Sequence, residues 1–312
     1  MSTLLRAFVA SLALVFIGVP AGAQTLETVR VAAPPVDVTG NLFYAMDLGL
    51  FAKAGIDVQL TQLTAGAPVV AAVAGGAADI GSANSVAISA AHLSGVPLVL
   101  VAPSGANSVK GPIDAIVVAK NSPIKTAKDL NGKTIMTSAL ENILQVQVDA
   151  WIDKNGGDWK SVKWVEAPPA QEGGAVATGR VDAATITETF LSAAIATGDV
   201  RLLAYTGAEI SPLVIEGGYF CTPDYAKAHA DLIRRFAKAV LDAGQWANNH
   251  HSEAVAIMAK YSKATSIAGA NHAVYPETFK ASDLQALINA SAKYGALKAP
   301  YPAGDIVLPE LH

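Results

Sequence analysis

One cysteine, Cys221, stands in 312 residues. A single thiol closes no internal disulfide and builds no thiolate metal cluster, so stability has to come from an apolar core. Charge is scarce as well: Asp, Glu, Lys and Arg make up 15% of the chain, against an ordinary share of about 25%. The six arginines, Arg6, Arg30, Arg180, Arg201, Arg234 and Arg235, form no basic stripe, and Arg234-Arg235 reads as the solvated face of a helix. With a formal net charge of −4, nucleic acid is excluded as a partner. Chemical motifs are also missing. No G-x-S-x-G elbow or G-x-G-x-x-G turn occurs, no histidine sits in H-E-x-x-H, and Asn131-Gly132-Lys133-Thr134 has Ala127 where a phosphate-binding loop needs glycine. Neither a metal nor a cofactor is expected.

Long apolar runs are nearly absent too. Arg6 precedes the run from Ala7 to Val19, and Pro20 and Ala21-Gly22-Ala23 follow it before Gln24. That is the layout of a secretory signal peptide over residues 1–23, too short and too broken to span a bilayer. The uncharged stretch from Ile80 to Val109 carries Ser82, Asn84, Ser85, His92, Pro97 and Pro103, and reads as buried soluble elements. Removing the signal takes away one arginine and no acid, which moves the net charge from −4 to −5. What is present is apolar residue, 52% of the chain, which excludes disorder as the main state; the length predicts two domains.

An internal repeat gives those domains a form. Ala72-Val73-Ala74-Gly75-Gly76-Ala77-Ala78-Asp79 and Ala175-Val176-Ala177-Thr178-Gly179-Arg180-Val181-Asp182 share A-V-A-x-G-x-x-D. Before each copy the pattern predicts a strand (29–33; 134–137), a helix (41–54; 143–155) and a second strand (57–63; 162–167), and after each a third strand. Two such units predict an α/β fold of two open lobes with largely parallel sheets. The Gly, Ser and Pro of 103–112 suit a first crossing between lobes. Gly207, Ser211 and Pro212, followed by a strand over 214–220 broken at Gly217-Gly218, suit a second. Thr222-Pro223-Asp224 opens a helical tail in which Leu232, Phe236, Val240 and Ala243 share one face.

Open α/β sheets bind ligands beyond their strand ends, and polar residues gather there. They are Asn41, Thr64, Ser82, Asn84 and Ser85 in the first unit, and Ser138, Asn142, Thr187 and Glu188 in the second. Phe43, Tyr44, Phe190 and Tyr219 supply walls, or core. Ser82, Asn84 and Ser85 equally suit helix caps. Glu188 suits either an ammonium or ring N–H of a solute, or the start of a helix, where the dipole favours a carboxylate. Lys and Arg are absent from these loops, which disfavours a guanidinium clamp and leaves an anion to helix N-termini and neutral donors.

The segment Asn41-Leu42-Phe43-Tyr44-Ala45-Met46-Asp47-Leu48-Gly49-Leu50-Phe51-Ala52-Lys53-Ala54-Gly55-Ile56-Asp57-Val58 resembles the opening of the nitrate/sulfonate/taurine-type solute-binding proteins of ABC importers. So do Ala74–Gly81, Ser122-Pro123-Ile124, Asp129-Leu130-Asn131-Gly132-Lys133, Gly179–Ala183 and the tail from Thr222 to Asn248. The resemblance implies a type II periplasmic-binding-protein fold with two crossovers. Lobe 1 would take residues 24–108 and 210–312, and lobe 2 residues 109–209. It further implies a monomeric periplasmic protein that holds a small organic solute between its lobes and delivers it to a permease. From the strand-end reading above, the expected ligand-binding residues are Asn41, Phe43, Thr64, Ser82, Asn84, Ser85, Ser138, Asn142, Thr187, Glu188 and Tyr219. Thr189 stands where the family often has proline, which changes the loop that carries Glu188. Two alternatives stay open: a periplasmic sensor, and an enzyme on the same fold like the thiamine-pyrimidine synthases, whose cysteine-rich motif this chain lacks.

Overall fold

A computed structural model of the chain describes residues 25–188, 190–262 and 270–308. The apolar run proposed as a signal peptide lies outside the described residues, and among those that are described no helix is long and apolar enough to cross a membrane. In chain order the strands are β1 Glu27–Ala33, β2 Ile56–Gln62, β3 Ile80–Asn84, β4 Val99–Pro103, β5 Ala106–Ser108, β6 Asp114–Ala119, β7 Thr134–Thr137, β8 Lys163–Glu166, β9 Ala183–Thr187, β10 Val200–Tyr205, β11 Leu213–Ile215 and β12 Gly217–Cys221. The helices are α1 Gly40–Asp47, α2 Leu50–Lys53, α3 Gly66–Ala74, α4 Ser85–Leu93, α5 Ile143–Lys154, α6 Pro169–Ala177, α7 Phe190–Ala196, α8 Pro223–Ala228, α9 Ala230–Asn249, α10 His251–Ser262 and α11 Ser282–Lys293.

The strands form two five-stranded sheets of matching order, β2-β1-β3-β12-β4 and β8-β7-β9-β6-β10. In each, the fourth strand in the order has just arrived from the other sheet and runs antiparallel to its neighbours. The remaining pairings, β1 with β2 and β3 and β7 with β8 and β9, are parallel. The two crossings are themselves hydrogen-bonded: β5 leaves the first sheet, β11 returns to it, and they pair antiparallel with Leu213 opposite Ser108 and Ile215 opposite Ala106.

The repeated octapeptide has a mechanical role that explains its recurrence. Gly76 and Gly179 both take left-handed backbone, with φ of 73° and 72°, to end their helices. Asp79 and Asp182 then each accept a hydrogen bond from the backbone of the first strand of their own unit, from Arg30 N at 2.8 Å and Thr134 N at 2.9 Å. The same side chain thus sets the start of the third strand against the first in both sheets.

Two expectations shift. The helix predicted over 41–54 is divided into α1 and α2, because Gly49 adopts φ 67° and stops the first turn sequence. The break in the strand predicted over 214–220 falls at Glu216, while Gly217 and Gly218 lie inside β12. Backbone crowding requires glycine there: a Cβ on Gly217 would stand 2.3 Å from the Ala83 carbonyl oxygen, and one on Gly218 would stand 2.9 Å from that of Ala102.

Apolar packing follows the sheets. Between the first sheet and α1, α9 and α10 lie Phe43, Tyr44, Tyr219 and Phe236, with Phe51 stacked on Phe236 at 5.1 Å between ring centroids. Phe236→Ala would cost about 3–5 kcal/mol. The first sheet's other face shares one apolar cluster with α11 and with Ile143, Leu144, Val146 and Ala150 of α5. Polar contacts reinforce this bridge, since Asp153 accepts hydrogen bonds from Lys293 Nζ at 2.7 Å and the Tyr294 hydroxyl at 3.0 Å.

Candidate functional site

A cleft of about 190 Å³ is lined by residues of both sheets, and Ser104, Asp114 and Glu216, which flank the paired crossings, form its floor. From the first sheet come Val36 and Val38 after β1, Thr64 after β2, Asn84 at the end of β3, and Ser104 after β4. The second sheet supplies Asp114 at the start of β6, Ser138 and Asn142 after β7, Pro169 after β8, and Thr187 and Phe190 around the end of β9. Glu216, between β11 and β12, completes the floor. Among the described residues, none that lines the cleft is Lys, Arg or His.

Of the eleven residues expected from the sequence, the cleft brings together Thr64, Asn84, Ser138, Asn142 and Thr187. Asn84 and Asn142 cap their helices: Oδ1 of Asn84 accepts from Ala87 N at 2.9 Å, and Oδ1 of Asn142 from Gln145 N at 3.0 Å. Their amide NH₂ groups are the parts left to meet a solute, although that of Asn142 also donates to Ser138 Oγ at 3.1 Å.

The other six do not line the cleft, for identifiable reasons. Asn41 and Tyr219 are occupied with each other inside the first sheet's core, where the tyrosine hydroxyl donates to Asn41 Oδ1 at 2.6 Å. Phe43 is buried against Tyr261, with ring centroids 4.7 Å apart. Ser82 is buried in β3 opposite Tyr219. The Ser85 hydroxyl donates to the Ile215 carbonyl at 2.9 Å and ties α4 to the returning crossing. Glu188 accepts from Ser192 N at 3.2 Å and from Ser192 Oγ at 2.9 Å, so it serves the start of α7. It faces a separate surface hollow with Arg201 and Tyr205.

Sequence reasoning passed over Asp114 and Glu216, the two acids of the floor. They are 1% and 4% exposed. Asp114 Oδ2 accepts from Asn107 Nδ2 at 3.1 Å, and Glu216 Oε1 accepts from Gln147 Nε2 at 2.7 Å. Burial pushes the Asp114 carboxyl up, with Glu216, Thr187, Gln147 and Asn107 beside it pulling the other way. Glu216 is raised well above the usual carboxylate range, first by burial and then by the charge of Asp114. Both carboxyls are therefore more basic than ordinary ones, Glu216 the more so. A signal was there to find: each acid is alone in an apolar strand segment, Ile113-Asp114-Ala115-Ile116 and Val214-Ile215-Glu216, where an acid is rarely buried without a task. The strand-end pattern applies to the C-terminal ends of parallel strands. On the antiparallel strands β6 and β12 it is the N-terminal end that meets the cleft, as the pairing of Asp114 with Thr187 and of Gly217 with Asn84 requires.

Arrangement and sequence both have known counterparts. The family model described as NMT1/THI5 like matches residues 37–254. A curated putative aliphatic sulfonates-binding protein of Escherichia coli (strain K12) is 26% identical over 203 residues, which are 65% of this chain. The match spans 61% of that relative, less than two thirds of its length. Among solved structures, the periplasmic aliphatic sulphonate binding protein SsuA from Escherichia coli superposes with a TM-score of 0.74 at 19% identity, covering 90% of this chain and 92% of its own. The periplasmic nitrate-binding protein NrtA from Synechocystis PCC 6803 gives 0.75 at 14% identity, covering 92% and 87%. At these identities the structures establish the shared fold, that of periplasmic binding proteins.

Proposed function

We propose, from the premise that the chain belongs to the NMT1/THI5-like family, that it is an extracytoplasmic solute-binding protein that hands a small organic solute to the permease of an ABC importer. The observation that carries this reading is the cleft: residues of both sheets face one volume whose floor residues, Ser104, Asp114 and Glu216, flank the hydrogen-bonded crossings β5 and β11. Two short strands are all that connects the sheets' chain path, so the lobes can turn about them and enclose a solute. The lobes we assign are residues 24–108 with 210–312, and 109–209. The matching strand orders of the two sheets support that division. The signal-like sequence over 1–23 supports a periplasmic mature protein, which we take to act as a monomer. Candidate ligand contacts are Thr64, Asn84, Ser138, Asn142 and Thr187 with Phe190 as a wall, and to these we add the cleft-lining Ser104, Asp114 and Glu216.

Relatives named for aliphatic sulfonates and nitrate suggest an anion, but a cleft without a cationic side chain and with two carboxyls on its floor supports a different solute. The enzymatic alternative is disfavoured by the lone thiol. Cys221 is fully buried in β12, away from the cleft lining, and burial pushes it up to about 12. The test is a thermal-shift screen of the mature chain against organic acids, amines, pyrimidines and sulfonates. Saturable, one-to-one stabilisation by a solute that is recovered unchanged supports capture. Turnover of a solute that gives no stabilisation overturns it.

A further inference from the structure

The solute class can be narrowed, on the reading that this cleft is where the solute binds. We propose that the cleft floor is a recognition site for a protonated nitrogen, and that the solute is a small organic cation, an ammonium, amidinium or protonated N-heterocycle on an apolar skeleton.

The floor holds two buried oxygens with no hydrogen-bond partner among the described residues. Asp114 Oδ1 and Ser104 Oγ have no hydrogen-bond partner, although both residues are 1% exposed. Polar atoms buried this deeply are ordinarily paired, so an unpaired carboxylate oxygen and an unpaired hydroxyl lining one cleft mark where a ligand's donors belong. The outer oxygens are already engaged: Asn107 holds Asp114 Oδ2, and Gln147 holds Glu216 Oε1. Both carboxyl groups are thus fixed in direction, as a recognition site needs.

Charge points the same way. The two acids flank the floor, one at the start of the outgoing strand β6 and one just before the returning strand β12, and no cationic lining residue opposes them. A sulfonate or nitrate placed there would meet acceptors and negative charge. An N–H cation meets both complements at once. Above the floor, Val36, Val38, Leu144 and Phe190 give apolar walls suited to a hydrocarbon skeleton.

Matched probes test this. The mature chain is titrated with benzylamine, benzamidine and 4-aminopyridine, and with benzyl alcohol, benzamide and phenylmethanesulfonate as uncharged and anionic counterparts. Melting temperature and calorimetric affinity are followed. At least one cation is expected to raise the melting temperature saturably, with its counterparts giving no shift. Asp114→Asn and Glu216→Gln are expected to weaken that cation by about tenfold or more, while Asp242→Asn on the exposed face of α9 leaves it unchanged. Should the acid variants fail to fold, Ser104→Ala removes one unpaired acceptor and is expected to weaken the cation several-fold with the unliganded melting temperature preserved. Stabilisation by the sulfonate or the uncharged probes alone overturns the cation assignment and leaves solute capture standing. No shift with any cationic probe, or full affinity in all three floor variants, also overturns it.

Discussion

Gln147 and Glu216, 69 residues apart, are joined by a hydrogen bond of 2.7 Å from Nε2 to Oε1. Gln147 belongs to α5, which follows a strand of the second sheet, and Glu216 ends the crossing that returns to the first. The link is buried, and Thr206 Oγ1 donates to Gln147 Oε1 at 3.4 Å to complete it. One side chain therefore fixes both the direction of a floor carboxyl and the seat of α5 on the hinge. Gln147→Leu is expected to lower stability by about 2 kcal/mol, because it leaves a buried carboxyl and a buried hydroxyl without partners. Urea denaturation measures this, and an unchanged midpoint would contradict the assignment.

Glu172 gives the fold a dependence on pH. Its carboxyl is 1% exposed, and burial pushes it up to about 9 from an ordinary 4.5. Between those two values the folded chain keeps a proton that the unfolded chain has lost. Stability from this site therefore falls as pH rises through that window, and levels off above it. Glu172→Gln is expected to flatten the slope and to stabilise the protein at neutral pH by on the order of 2 kcal/mol. Melting temperatures from acid to alkaline pH test it. A variant with the wild-type slope would place the titration elsewhere.

The repeated aspartates are expected to behave alike. Asp79→Ala and Asp182→Ala each remove the acceptor that sets the third strand of a unit against its first, and each is expected to cost about 1–2 kcal/mol. Denaturant midpoints of the two variants would fall by similar amounts. A loss confined to one of them would mean that the octapeptide repeat has no shared mechanical role.

Glu188 separates the two readings that its sequence position allowed. Its carboxyl serves Ser192 at the start of α7, so Glu188→Ala is expected to cost about 1 kcal/mol of stability. The melting temperature should fall by the same amount with and without a stabilising solute. A larger fall in the presence of solute would return Glu188 to the binding site.

How much of this was legible in the sequence depends on what each residue had to compete with. The two α/β units, the crossings and the tail helices could be read, because small residues, left-handed glycines and an apolar face at helical spacing act locally. Leu232, Phe236, Val240 and Ala243 are all buried as that spacing predicts. Thr64, Asn84, Ser138, Asn142 and Thr187 reach the cleft as the pattern predicts because they end or follow parallel strands, whose C-terminal ends meet it. Asn41 and Tyr219 sit in comparable sequence positions but satisfy each other, a contact across 178 residues that no local pattern reports. Asp114 and Glu216 escaped because strand direction reverses in β6 and β12, and direction is a property of the assembled sheet.

Native mass spectrometry of the mature protein, before and after addition of a stabilising solute, tests the central claim most directly when wild type is compared with Ala139→Trp. Ala139 lines the cleft, and an indole there occupies the solute's volume. The account predicts one solute bound per wild-type chain and none per variant chain, with matching circular dichroism. Solute retained equally by the cleft-filled variant would contradict it.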